Sequence, residues 1–283
     1  HKPKMKQNLK ISISLLVVTL IVYLPLLLSP QKLLSRENDL QEQFWPVFYY
    51  LRQHFLQDYS LAFWNNLFFS GTPLLPDPQF SLFYPLNWLL ILLPTDYAFF
   101  VWLILHTFLG GLFFLILAKS VFRFSIITSF VLAALYITTP RLGAYLEAGH
   151  YGLVGTLAWL PLVVFSSFKL VSSKRIKYII LLGVSLAALF YLHAVTLVLA
   201  VPASLLLILT LSLLTKSNLI KTTFRFILAA ITSLGLTVVT LLPQIEWLPQ
   251  TTRFLLLQDR DVYPKWISIT EFLSSSISPL LLQ

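Results

Sequence analysis

KYIILLGVSLAALFYLHAVTLVLAVPASLLLILTLSLLTK, residues 177–216, decides how this chain is built. Lys177 and Lys216 bound it, and His193 is its only titratable interior group apart from tyrosine. Lysine and arginine collect on the cytoplasmic side of membrane helices. With both ends held there, the chain must cross and return within about 37 residues, roughly 18 each way, close to the least that spans a bilayer. The turn then falls near Tyr191–Thr196. His193 is thereby placed at the outer surface, although hydropathy alone would bury it.

The rest of the chain reads the same way. It is 57% hydrophobic and 11% charged, against about 25% charged in a soluble domain, and its mean hydropathy is +0.81. Apolar runs near the ~20 residues of a membrane span recur. The fold class is therefore all-α: a polytopic helical membrane protein with about seven spans. A β-barrel would show short alternating segments instead. The spans are expected at Ile11–Leu28, Tyr97–Ala118, Ile126–Thr139, Leu153–Val171, Tyr178–Leu192, Thr196–Leu214 and Phe224–Leu242. Pro94-Thr95-Asp96 separates an interfacial stretch, Leu86–Leu93, from the second. With no cysteine, disulfides and thiolate sites are excluded. The net charge of +9 does not imply nucleic acid, because the basic residues sit at helix ends, where topology explains them. Lys2, Lys4, Lys6 and Lys10 precede a run too long for a signal peptide and without a small-residue cleavage site, so an uncleaved first span is expected. Met5, the single methionine, is read as the natural start.

Placing the N-terminus inside puts Lys119, Arg123, Lys169, Lys174, Arg175, Lys177, Lys216, Lys221 and Arg225 inside as well. All 11 acids, from Glu37 and Asp39 through Glu147 to Glu246 and Glu271, then fall outside. Three separated outer loops, carrying Asp39, Glu147 with His150, and His193, meet on one face. The expected organisation is a cytoplasmic N-terminus (1–10), a membrane domain (11–242) with a large outer loop (31–96), and an outer segment (243–283).

Chemistry is sought in that first outer loop. Asp39 follows the first span, and Pro46 suits the first turn of a helix running from about Pro46 to Gln57. Its carboxylate suits a general base or a divalent-cation ligand, and equally an ordinary solvated interfacial group. Glu147-Ala148-Gly149-His150 brings a carboxylate and an imidazole three residues apart, on one face if helical. With Asp39 they suit a metal or acid–base cluster, or an ordinary polar corner. Arg141 suits an anionic phosphate, or snorkels to lipid headgroups. Asp77, between Pro76 and Pro78, sits in a rigid turn, and Gly71 and Pro73 shape another. Trp64, Phe68, Phe69, Phe80 and Tyr84 suit stacking on sugar or a lipid-tail groove, or burial against neighbouring loops. His106, inside the second span, is a functional candidate by default; a neutral histidine bonded between helices is the preferred reading. Gly110-Gly111, one turn on, allows close helix packing.

Several of these residues recur in a familiar order. They are Asp39, Trp64-Asn65 with Gly71-Thr72-Pro73, Pro78-Gln79 with Phe83-Tyr84-Pro85-Leu86-Asn87, Gly149-His150 before Ala158-Trp159-Leu160-Pro161-Leu162, and Leu242-Pro243 with Glu246 and Arg253. In that order the chain resembles the bacterial YfhO-type membrane proteins, within the GT-C superfamily of glycosyltransferases, over nearly its whole length. Members are usually longer, so an N-terminal fragment is expected.

The resemblance implies transfer of a sugar from a polyprenyl-phosphate-linked donor to a cell-envelope glycopolymer or glycolipid on the extracytoplasmic face of the bacterial cell membrane. It implies Asp39 and Glu147 as catalytic residues, and the spacing of Glu147 and His150 adds His150 as a catalytic candidate. Arg141, His193, Arg253, Asp77 and Trp64 are the substrate-binding candidates. Asp39 and Glu147 are the candidate ligands of a divalent cation, Mg or Mn. The pattern departs from the family's paired acids, since Asn38-Asp39 offers a single acid. Two other classes remain open: a transporter or flippase of lipid-linked saccharides, and a non-catalytic envelope scaffold. Transporters gather polar groups at the midplane, whereas here they gather outside.

Overall fold

The computed structural model describes residues 2–34, 37–68, 70–173, 175–252 and 254–255. Phe69, Lys174, Arg253 and everything beyond residue 255 lie outside the described residues. The helices are α1 (Lys2–Val22), α2 (Leu24–Leu27), α3 (Trp45–Asp58), α4 (Trp88–Leu92), α5 (Thr95–Ser120), α6 (Ile126–Ile137), α7 (Pro140–Glu147), α8 (Tyr151–Ser172), α9 (Lys177–Leu192), α10 (Ala194–Leu214) and α11 (Leu219–Trp247). A ribbon of two short strands, β1 (Trp64–Asn65) and β2 (Thr72–Pro73), pairs antiparallel within the first loop. The architecture is otherwise helical, consistent with an all-α membrane protein.

Among the described residues five helical runs are long and apolar enough to cross a membrane: α5, α6 continuing into α7, α8, α10 and α11. The other two expected spans coincide with shorter apolar helices, Leu9–Val22 and Lys177–Leu192. Two boundaries move. The chain expected to leave the membrane at residue 243 stays helical through Pro243 to Trp247, and the first span ends in α1 before Tyr23.

Short connectors make successive long helices alternate in direction. At one end of the bundle Lys169 and Arg225 satisfy carbonyls that a helix C-terminus leaves without partners. Lys169 Nζ donates to Ser120 O at the end of α5, 3.2 Å. The Arg225 guanidinium donates to Leu170 O and Ser173 O at the end of α8. α5 packs on α1, α4, α6 and α8, and α9 lies between α8 and α11. Gly110 makes the α5–α8 approach possible: a Cβ there would stand 3.1 Å from Ala158 Cα. Pro161 inside α8 cannot donate to Leu157 O. That carbonyl instead accepts from the Tyr136 hydroxyl of α6, 2.6 Å, which removes an unpaired group from an apolar setting.

The first loop is not an appendage. Phe48 and Leu51 of α3, together with Leu74, Phe80 and Tyr84, join Phe99 and Trp102 of α5 and Tyr151 of α8 in the largest hydrophobic core. Phe48 meets Phe99 edge-on at 5.6 Å, and Phe99 meets Tyr151 at 5.5 Å. Such contacts add about 0.5–1.5 kcal/mol each beyond area burial. The helix expected from Pro46 to Gln57 is α3, and its apolar stripe anchors the loop to the bundle.

Candidate functional site

Asp39 opens a π-type turn, Leu40–Phe44, that runs into α3. Turns of this kind are rare and concentrate at functional sites. Asn38 fixes it: its carbonyl accepts from Gln41 N and Glu42 N, both 3.0 Å, and its side-chain amide donates to Glu147 O, 3.0 Å. That last bond ties the loop to the corner between α7 and α8. Gly149 turns this corner with φ +78°, and a Cβ there would collide with the backbone nitrogen of Leu40 and with Asn38. Only glycine allows both the left-handed backbone and the approach.

The result is a cross-loop pair. His150 Nδ1 stands 3.3 Å from Asp39 Oδ2, with the two side chains 46% and 53% exposed, so both partners remain open to a ligand. Glu147 and His150 do not share a helical face, because α7 ends at Glu147 and His150 precedes the first turn of α8. Glu147 contributes its carbonyl to the corner and keeps its side chain exposed.

His193 arrives from a third loop, a single extended residue between α9 and α10. The turn predicted at Tyr191–Thr196 is this residue. Its Nδ1 caps α10, accepting from Thr196 N at 3.3 Å and meeting Thr196 Oγ1 at 2.8 Å. Burial, and then the neighbouring charge of His150, push its pKa down. The structure thus sets Asp39 against His150, and His193 near His150.

Beside this cluster a cavity of about 530 Å³ runs between the loop and the far end of α11. Gln43, Asp77 and Gln79 line one wall, and Gln244, Trp247 and Thr251 line the other. Asp77 makes the predicted tight turn, its Oδ1 accepting from Gln79 N at 2.8 Å. Burial raises its pKa, and the Gln79 amide opposes that. The Gln43 and Gln79 carboxamides are hydrogen-bonded to each other. Gln79 O accepts from the Tyr151 hydroxyl, 3.1 Å, next to His150. Gln43, Gln244 and Trp247 were missed as site residues. Gln43 sits in the same turn as Asp39, which was the available signal; the pairing with α11 had none.

The aromatic stretch of the loop separates into two kinds. Phe80 is 3% and Tyr84 2% exposed, so the stacking role considered for them is corrected to core packing. The Tyr84 hydroxyl bonds His106 Nε2, 2.8 Å, and accepts from Trp159 Nε1, 2.8 Å. His106 Nδ1 donates to Trp102 O, 2.8 Å, so Nε2 is the acceptor in this neutral ring. Asn87 donates to Phe80 O and Ser81 O and accepts from Trp102 Nε1, 2.9 Å. The motif residues therefore clamp the loop onto α5 and α8, and His106 is a structural histidine. Trp64 remains about half exposed, but its ring covers Gly71 in the β1–β2 turn and does not line the cavity.

Arg141, exposed on the first turn of α7, lies over the Tyr145 ring at 5.9 Å and not against the Asp39–His150 pair. Arg253 lies outside the described residues. Among the described residues no three His, Asp or Glu side chains converge as a metal site. Hard divalent cations take about six or more oxygen ligands. Asp39 and Glu147 do not make up such a donor set by themselves.

Residues 10–260 match the family model described as Bacterial membrane protein YfhO. No curated protein and no solved structure matches the chain.

Proposed function

The chain belongs to the YfhO family of bacterial membrane proteins, and from that premise we propose that it transfers a sugar from a polyprenyl-phosphate-linked donor to a cell-envelope glycan or glycolipid at the outer membrane face. The observation that carries this reading is the Asp39–His150 contact of 3.3 Å. Two exposed titratable groups from loops far apart in sequence are held together by Asn38 and Gly149, at the end of the bundle opposite Lys169 and Arg225. Exposure at an interface suits an acceptor that arrives from water and a donor that arrives from lipid.

In the proposed step the acceptor hydroxyl oxygen forms a bond to the anomeric carbon. The bond between that carbon and the phosphate oxygen breaks, and the lipid phosphate leaves with the electron pair. Asp39 takes the hydroxyl proton as general base, a role worth about 10²–10⁴-fold in rate. His150 orients the carboxylate and offsets its charge, and the Glu147 carboxylate stands at the same corner. Positive charge for the leaving phosphate is assigned to Arg141 or Arg253, as a further part of the proposal. No step is routed through a metal ion, because the described residues do not complete a cation site.

The test is Asp39→Asn in the full-length protein, reconstituted in vesicles with a radiolabelled lipid-phosphate sugar donor. Transfer is expected to fall at least ~100-fold with the thermal unfolding midpoint unchanged. Undiminished transfer would remove Asp39 from the reaction. Translocation of the lipid-linked sugar without transfer would instead make the protein a flippase.

A further inference from the structure

The groove between the Asp77 turn and the end of α11 has no role in the chemistry above, yet its lining is selective. Gln43, Gln79 and Gln244 each present a carboxamide, which both donates and accepts hydrogen bonds. Thr72 and Thr251 add hydroxyls, and Trp247 adds a flat apolar face. Its volume of about 530 Å³ lies inside the range of roughly 300–1,000 Å³ usual for small-molecule sites. Among the described lining residues there is no lysine, arginine or histidine. Among those described residues a phosphate would meet the Asp77 carboxyl and no cation, against the usual pairing of phosphate with Lys or Arg. What this lining matches is a neutral ligand dense in hydroxyls, each able to donate and accept, with an apolar face for the indole.

We propose that this groove is a binding subsite for an uncharged saccharide, seated between the Asp77–Gln79 turn and the Gln244–Trp247 end of α11. The inference rests on the transfer reading for its purpose but not for its binding chemistry. The Asp77 carboxyl, fixed by the Gln79 amide at 2.8 Å, accepts from sugar hydroxyls. The three carboxamides bridge further hydroxyls, and the Trp247 ring covers a sugar face. Gln43 belongs to the turn that Asp39 opens, so a sugar held on Gln43 lies on the side of the loop that carries the Asp39–His150 pair. The phosphate-bearing part of a donor is excluded from the groove and left to the cationic groups outside it.

The experiment uses the purified full-length protein in nanodiscs. Saturation-transfer NMR is recorded with a panel of methyl hexosides and their N-acetylamino counterparts, and with inorganic phosphate and glycerol phosphate as controls. At least one neutral glycoside is expected to give a signal, and neither phosphate to displace it. Gln244→Ala and Asp77→Asn are each expected to weaken that binding at least ~10-fold, about 1.4 kcal/mol. Gln244→Glu, which keeps the side-chain length, separates lost bonding from misfolding if its unfolding midpoint stays wild-type. Asp39→Asn is expected to leave glycoside binding unchanged. Binding that survives all three groove variants, displacement by phosphate, or no signal from any glycoside would overturn the subsite. Absence of transfer alongside intact, groove-dependent binding would sink the transferase reading and leave the subsite standing.

Discussion

Two polar clusters grow from the same loop, and they differ in almost every physical respect. The Tyr84–His106–Trp159 and Asn87–Trp102 bonds are closed: every ring nitrogen and hydroxyl in them has a partner, and Tyr84, Asn87, Trp102 and His106 are at most 2% exposed. The Asp39–His150 pair is open, each side chain about half exposed. A network that is buried and fully satisfied rigidifies a core. A pair with free lone pairs facing solvent has capacity left for a ligand. The residues that make the loop conspicuous, its aromatics and asparagines, hold it in place; one acid at its edge is what they hold.

That contrast makes the two clusters respond oppositely to substitution. The largest expected effect on stability is Asn87→Ala, which removes three hydrogen bonds and leaves Trp102 Nε1 and Phe80 O without those partners in the core, while Ser81 O keeps its bond from Tyr84 N. It should cost about 2–4 kcal/mol, read as a lowered unfolding midpoint, while transfer per folded molecule stays within a few-fold. Asp39→Asn should do the reverse. A stable Asn87→Ala protein without activity would exchange the roles assigned to the two clusters.

Gly149→Ala sharpens the comparison from the other side. It forces a side chain into the left-handed region and against Leu40 and Asn38, at a cost of roughly 1–3 kcal/mol. The corner must open, and Asp39 moves off His150. A misplacement of about 1 Å can cost about 100-fold in rate. Transfer should therefore fall about as far as in Asp39→Asn, and the double variant should lose little more. Full additivity in that cycle would mean that the corner does not position Asp39.

The smallest effect concerns His193. Its pKa is lowered in the folded protein, so the unfolded chain binds more protons as pH falls below the ordinary histidine value. Stability is then present above that value and lost on acidification. Between pH 7.5 and 5.5 the unfolding midpoint should drop by roughly 1–2 °C, a modest figure because the ring is only half-buried and screened. His193→Asn, which retains a capping side chain, should abolish that difference. An unchanged pH response in the variant would place the titration elsewhere.

The sequence by itself determined the helices and their alternation, because span length and end charge are local quantities set by the bilayer. It placed a turn near Tyr191–Thr196, a helix from about Pro46 to Gln57 and close packing at Gly110-Gly111, each from a residue whose own geometry or charge favours the outcome. Charge patterning leads to the expectation that the loops of Asp39, His150 and His193 share a face; the 3.3 Å contact of Asp39 with His150 is a tertiary finding. Only the tertiary structure decided which polar residues are satisfied and which remain free. Tyr84 suits ring stacking or burial until His106 and Trp159 are seen to occupy its hydroxyl and the core its ring. Glu147 and His150 read as neighbours on a helix until Gly149 turns the chain between them. The groove could not be read at all, because its walls come from residues 43–79 and from the end of α11. A hydrogen bond depends on where its partner lies in space, and no local pattern records that.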